Sequence, residues 1–362
     1  MKFHLSVIAL LLTVFPVWAK PVSGLYDARV PVPDQQLTSR QQGAKQGLIE
    51  VLQKVSGFSV PAENEAVARA LDIADQYLYQ FSYEAVQKEE WDASIPPGSS
   101  WLKMRFEAQS IQRIIKQAQL PLWGNNRPTV LLWIMKDEGD RTVLIDGAED
   151  MLANAVKDAG DRRGIPVVLP VYDLEDSMRL PQESLWGLFS ESILAASGRY
   201  DAESVMAARV YKNKDGNWVG QWRFYFKDRE FNYDFETEGL NQQVLSGMSA
   251  AAEVLANAFA IKPSDASSGT LAIKVGNVKS LNQYAALVSY LDGLTITKGV
   301  FVSRVKDTDL ELNLTLAGSL AQFRQVLALD RKLILQEAEL TGDTQANIDP
   351  LIPQVIQFKW QP

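Results

Sequence analysis

Carboxylates are the residues of this chain with the clearest capacity for chemistry. They gather in three clusters: Asp137, Glu138 and Asp140; Asp146, Glu149 and Asp150; and Asp173, Glu175 and Asp176. Paired carboxylates whose pKa values are pushed apart can serve as general acid and base in glycoside hydrolysis. The ordinary role of such runs is to solvate an exposed loop, and that reading is preferred here. The chain has no cysteine, and its one histidine, His4, lies in a segment expected to be removed. A chain with neither residue has no histidine-based triad, no thiolate nucleophile, no disulfide exchange, and no His- or Cys-ligated zinc, copper or haem. No Walker-type phosphate loop and no dinucleotide fingerprint occurs. Asn213-Lys214-Asp215-Gly216-Asn217 resembles the start of a calcium loop but lacks the downstream Glu, and it reads as a hairpin turn. No catalytic residue, cofactor or metal site is therefore expected. A net charge of −8 argues against nucleic acid as a partner.

Aromatic side chains are the other concentration. Trp218, Trp222, Phe224 and Phe226 alternate onto one strand face, which reads as sheet core rather than a ligand platform. Trp123 and Arg127 sit in a segment rich in Pro, Gly and Asn. A Trp there is either wedged between domains or presented to a partner, and the wedge is preferred. Trp123, Arg127, Phe358 and Trp360 are the candidates for partner binding.

The elements that would position these residues follow from periodicity. Residues 1–19 read as a signal peptide: Lys2, an apolar run from Leu5 to Phe15, the break at Pro16, and Val17-Trp18-Ala19 before the cut. Cleavage is expected between Ala19 and Lys20. The run is too short to span a bilayer, and no later stretch is long and apolar enough to do so, so no integral membrane span is expected. A chain of 362 residues, 46% hydrophobic and 22% charged, has the composition to fold as two or three domains.

Residues 20–120 read as an N-terminal α/β domain in the order β-α-α-β-β-α. On its long helix Ala44, Leu48, Val51, Leu52 and Val55 share one face, and Gly57 stops it. Leu120–Pro128 reads as a linker. Residues 129–261 read as β-α-β-α-β-β-β-α, a mixed sheet whose first strand, Thr129–Met135, is apolar on both faces. Pro263–Gly269 reads as a flexible linker. Residues 270–338 give β-α-β-β-α-β, the ferredoxin-like order. There Leu310, Leu312, Leu314 and Leu316 alternate with polar residues. Residues 339–362 form a tail in which Val355–Trp360 reads as an added edge strand. The expected fold class is thus α+β or α/β, with three small mixed-sheet domains.

The chain resembles the family of domain of unknown function 2066, found in exported proteobacterial proteins. The resemblance rests on Arg40-Gln41-Gln42-Gly43-Ala44 leading to Val55-Ser56-Gly57, on the strand start Arg127-Pro128-Thr129-Val130-Leu131-Leu132-Trp133, and on Phe358-Lys359-Trp360. It brings no catalytic residues. At the level of element order, the second segment is similar to the amino-terminal domain of the Tol–Pal translocation protein and of lipoprotein activators of penicillin-binding proteins. The first two segments together are similar to the H-ring protein of sodium-driven flagella. These resemblances imply a role in envelope assembly. The resulting expectation is a periplasmic, non-enzymatic adaptor that binds other envelope proteins. The alternative is a carboxylate-dependent hydrolase acting on cell-envelope glycan.

Overall fold

The computed structural model describes residues 22–87, 90, 95–263, 269–336 and 355–361. The expected signal segment with Ala19 and Lys20, most of the second linker, and the tail from 339 to 354 lie outside the described residues. The chain is mixed α and β, with three sheets among the described residues.

The first sheet has the order β1 (Asp27–Val32), β3 (Ser100–Phe106), β2 (Leu78–Ala85), with both pairings antiparallel. Alternation sends Ala28, Val30, Val32, Leu102, Met104 and Phe106 to one face. That face packs on α1 (Leu37–Ser56) through Ala44, Leu48, Val51, Leu52 and Val55, with α2 (Glu65–Asp72) and α3 (Ala108–Gln117) completing the core. The opposite face carries the charged residues of the same strands, among them Arg29, Lys103 and Arg105.

The second sheet runs β5 (Arg141–Val143), β4 (Val130–Asp137), β7 (Ser204–Lys212), β8 (Trp218–Phe226), β9 (Arg229–Thr237), and the two-residue β6 (Val167–Val168) also pairs with β4. The pairs β4–β7 and β4–β6 are parallel, and the others are antiparallel. Helices cover both faces. On one side lie α4 (Met151–Arg163) and α8 (Leu240–Phe259); on the other lie α5 (Leu174–Arg179), α6 (Gln182–Trp186) and α7 (Ser190–Ser197). Double coverage explains why Val130 to Met135 are all buried. The periodicity through Leu185 and Ile193 suggests one helix; the structure has separate short helices there, interrupted at Gly187-Leu188, where Leu188 takes a positive φ. Trp218, Trp222, Phe224 and Phe226 belong to the core beneath α8.

The third sheet has the order β11 (Thr297–Lys306), β12 (Asp309–Leu316), β10 (Thr270–Gly276), β14 (Ile356–Trp360), β13 (Leu333–Leu335), with α9 (Leu281–Gly293) and α10 (Leu320–Asp330) supplying its helices. In a plain ferredoxin-like unit, β13 would lie beside β10. Here β14 takes that place, parallel to β10 and antiparallel to β13. The expected edge strand is therefore an interior one. Its alternate residues Phe358 and Trp360 are buried, Phe358 edge-on to Phe323 and Trp360 against Tyr290. Neither can meet a partner, which corrects that expectation for both.

Candidate functional site

The segment between the first two domains is built rather than loose. Leu122 forms a two-way antiparallel bridge with Ile261, at 2.9 Å in each direction. The Trp123 N–H donates to the Val55 carbonyl at 2.8 Å, and the indole is buried. Trp123 is thus wedged between domains and is not a partner surface. Arg127, the other candidate in this segment, has 0% exposure. Its Nε donates to the Gly124 carbonyl at 2.8 Å. Nη1 donates to the carbonyls of Arg163 and Gly164 at 3.0 and 3.1 Å, and Nη2 to those of Lys54 and Trp123 at 2.7 and 3.1 Å. The guanidinium lies 4.0 Å from the centre of the Trp123 ring.

Carbonyl dipoles, rather than a carboxylate, surround this cation. The carbonyl ends of α1 and α4 converge on it, and helix C-termini carry partial negative charge. Burial, and next the charge of Arg163, pull Arg127 down to about 9, which leaves it a cation at neutral pH. Both helices end in a left-handed glycine, Gly57 and Gly164. Those glycines also allow close approach. A Cβ on Gly164 would stand 2.6 Å from Arg127, and one on Gly57 would stand 2.3 Å from the Ala256 Cβ. A forked donor set and two glycine stops thus lock the first domain to the second.

Beside this lock, a cleft of about 610 Å³ opens between the domains. One wall is the charged face of the first sheet. The other is α4, with Lys157, Asp158, Asp161 and Arg162, and α1 contributes Glu50 and Lys54. Arg29 crosses between the walls, with Nη1 2.6 Å from Glu90 and Nη2 3.0 Å from Asp158. It also stacks 4.1 Å over Trp101. Arg162 makes a second crossing, 2.9 Å from Glu50. The Lys54 ammonium donates to the Asp27 carbonyl at 2.7 Å.

Burial pushes the Glu50 carboxyl up, against the pull of Arg162 and Lys54. Asp161 is raised by burial as well, and burial lowers Lys54. Glu90 moves the other way. Its partial burial is outweighed by hydrogen bonds from the Gln87 N–H, Arg29 and Trp101. The cleft therefore holds two carboxyls shifted toward the neutral acid, Glu50 and Asp161, and one, Glu90, held toward the ionised form.

The three acidic clusters lie elsewhere and serve local structure. Asp137 accepts from the Gly139 N–H and Arg141, and Glu138 pairs with Lys136 and Lys212. Asp150 caps α4 through the Ala153 N–H, while Asp146 and Glu149 are exposed. Asp173 caps α5 and pairs with Arg199. Asp176 is buried and accepts from the Tyr172 N–H, Arg199 and the Tyr200 hydroxyl. Asn213 closes its hairpin by accepting from the N–H groups of Asp215 and Asn217. Among the described residues, no set of three acidic side chains is arranged to hold a metal ion. The cleft residues come from β1, β2, β3, α1 and α4, together with Glu90, so linear spacing does not reveal them. The one local signal is Glu50 and Lys54, an i,i+4 charged pair on a helix whose neighbouring positions are apolar.

Residues 19–124 match the model of a domain of unknown function (DUF8605), which spans the first domain and the start of the junction. This overturns the expected kinship with domain of unknown function 2066. No curated protein matches the chain. Among solved structures, a competence-damaged protein (CinA) superfamily protein of Escherichia coli is 16% identical, with a TM-score of 0.20, over 41% of this chain and 84% of that one. The allophanate hydrolase of Kluyveromyces lactis is 9% identical, with a TM-score of 0.17, over 85% of this chain and 72% of that one. Scores this low carry no argument about fold or activity. The likeness of the second segment to the Tol–Pal translocation protein is not supported by these neighbours.

Proposed function

We propose that the chain is a non-enzymatic adaptor of the cell envelope, exported to the periplasm, where it binds other envelope proteins. The observation that carries this reading is an apolar surface on the helical layer of the second domain. Leu174 and Met178, one turn apart on α5, are 76% and 74% exposed, and Val171, Phe189 and Leu194 on adjoining segments are exposed too. Large apolar side chains grouped on a surface mark interaction sites more often than single ones do. Of the acidic clusters, which would have favoured catalysis, Asp137, Glu138, Asp150, Asp173 and Asp176 are engaged in caps, hydrogen bonds and ion pairs, and Asp146 and Glu149 are exposed. The test is photocrosslinking in cells from position 178, with position 149 as an exposed polar control. Discrete crosslinked proteins from 178 alone, lost on Leu174→Asp, support the adaptor. Identical patterns from both positions contradict it. Export is tested by intact mass of the cell-derived protein, which should begin at Lys20.

The opposed shifts of Glu50 and Glu90 in one cleft favour a second reading, a carboxylate-dependent hydrolase of envelope glycan. Soluble fragments released from purified peptidoglycan by the intact protein, and not by Glu50→Gln, would replace the first reading with this one.

A further inference from the structure

Sheet edges invite further strands, and proteins usually defend them with Lys, Pro, bulges or short length. Most edges of this chain are defended. β1 contains Pro31 and has its Asp27 carbonyl held by Lys54. β5 and β13 have three residues each. β9 carries Arg229, Glu230, Asp234 and Glu236. β11 carries Lys298, Arg304 and Lys306 and has two register shifts. β2 is the exception among the described residues. It has eight residues, Leu-Tyr-Gln-Phe-Ser-Tyr-Glu-Ala, with no Lys, Arg or Pro, and its one irregularity lies at its start, between Leu78 and Gln80. Within the described residues it pairs only with β3. Tyr79 is 75% exposed and Phe81 42%.

The sequence of β2 is also complementary to itself. In an antiparallel pairing, opposed residues share a face, so a two-fold axis normal to the sheet must pass midway between one residue and its own copy. With the axis at Ser82, Phe81 lies opposite the partner's Tyr83, and Gln80 opposite the partner's Glu84. Each pair occurs twice. Aromatic cross-strand pairs and amide–carboxylate pairs are favourable, and no like charges oppose one another. Phe81 and Tyr83 already pack edge to face at 6.1 Å, and Arg40 of α1 stacks on Phe81 at 4.7 Å, so this row of side chains is held in place for a partner. Exposed Leu37, one turn before Arg40, adds apolar surface beside the edge.

We propose that β2 pairs with β2 of a second copy, joining two three-stranded sheets into one six-stranded sheet, β1-β3-β2-β2-β3-β1. This is a different surface from the α5–α7 face, so the adaptor reading and this one stand or fall separately; Gln80, Phe81 and Ser82 also line the cleft. The test is sedimentation equilibrium of the mature full chain, with cooperative thermal unfolding checked for each variant. The intact chain should show a concentration-dependent monomer–dimer equilibrium. Phe81→Lys, at an exposed position, should leave a folded monomer. The register is read by a charge swap. Gln80→Glu sets a carboxylate against Glu84 of the partner at two places and should weaken the dimer roughly tenfold, whereas Gln80→Lys should tighten it by a similar factor. A chain that stays monomeric at 100-fold the concentration used for purification overturns the proposal. So does a dimer that ignores both Gln80 variants, since its interface is then elsewhere.

Discussion

The two junctions of this molecule are built from different physics. Between the first and second domains, the contacts are charged and mostly shielded: Arg127 with its five carbonyls, Glu50 with Arg162, and Arg29 with Asp158. Between the second and third, they are a mixture of exposed pairs and apolar packing, with Ile261 packed on the third core. Arg331 and Asp201 pair at 2.9 Å with side chains 68% and 63% exposed, Asn126 donates to the Val326 carbonyl at 3.1 Å, and Leu329 reaches the core of the second domain. A buried guanidinium without its carbonyls, or the reverse, is costly, so parting the first two domains leaves unpaired polar groups. Parting the last two exposes Leu329 but otherwise returns an already hydrated ion pair to water, with no buried charge left unpaired. The contrast implies one cooperative body made of the first two domains and a third domain that unfolds by itself.

The largest effect should come from removing β14. Ending the chain at Gln336 deletes Phe358 and Trp360 from the third core. Loss of one such side chain typically costs about 3–5 kcal/mol, comparable to the whole stability of a small domain. The truncated chain should lose the third domain's cooperative transition and keep that of the first two. A fragment of residues 269–362 should fold, while 270–338, the unit suggested by periodicity alone, should not. Circular dichroism melts of the two fragments decide this.

Arg127→Ala should rank second. It leaves five buried carbonyls short of a donor and empties the space beneath Trp123, at a cost of about 3–5 kcal/mol to the two-domain body. Chemical denaturation of the full chain measures this. Gly164→Ala should follow, at about 1–3 kcal/mol, because φ is +63° there and the added methyl meets Arg127.

These ranks rest on features of unequal legibility. The long helix of the first domain, the leucine alternation of β12 and the buried β4 were readable because each pattern is local and repeats at 3.6 or 2.0 residues. The place of β14 was not. Its alternation through Ile356, Phe358 and Trp360 marks a strand, but nothing local says that it slots between β10 and β13. Trp123 was legible as a wedge from its segment's composition. Arg127 in the same segment was not legible as the lock, because its partners are backbone carbonyls, which every residue has. The cleft escaped for a related reason. Glu50, Glu90 and Asp158 are scattered in sequence, while the conspicuous acid runs lie elsewhere, several of their members in caps and ion pairs.

The cleft sharpens the comparison through pH. The pKa of Glu50 is raised in the folded state, so its contribution to stability is fully present below the ordinary Glu value and lost as pH rises through the raised one. Glu90 is depressed, so its contribution is present above the ordinary value and lost as pH falls through the lowered one. Between neutrality and mild acid, the Glu50 effect should dominate. The intact chain should gain stability relative to Glu50→Gln on moving from pH 7.5 toward pH 5, in the transition of the first two domains alone. Melting curves of both proteins at the two pH values test this. The smallest effect belongs to the outer junction. Arg331→Ala should change stability by less than about 0.5 kcal/mol, as exposed ion pairs do.

Differential scanning calorimetry of the full chain beside Arg127→Lys tests the central claim most directly. A Lys keeps the charge but cannot reach the carbonyls of Lys54, Trp123, Gly124, Arg163 and Gly164 together. Two transitions are expected in the intact chain, and the substitution should lower the one belonging to the first two domains while leaving the third domain's in place. A single transition in the intact chain, or equal displacement of both by the substitution, would contradict the account.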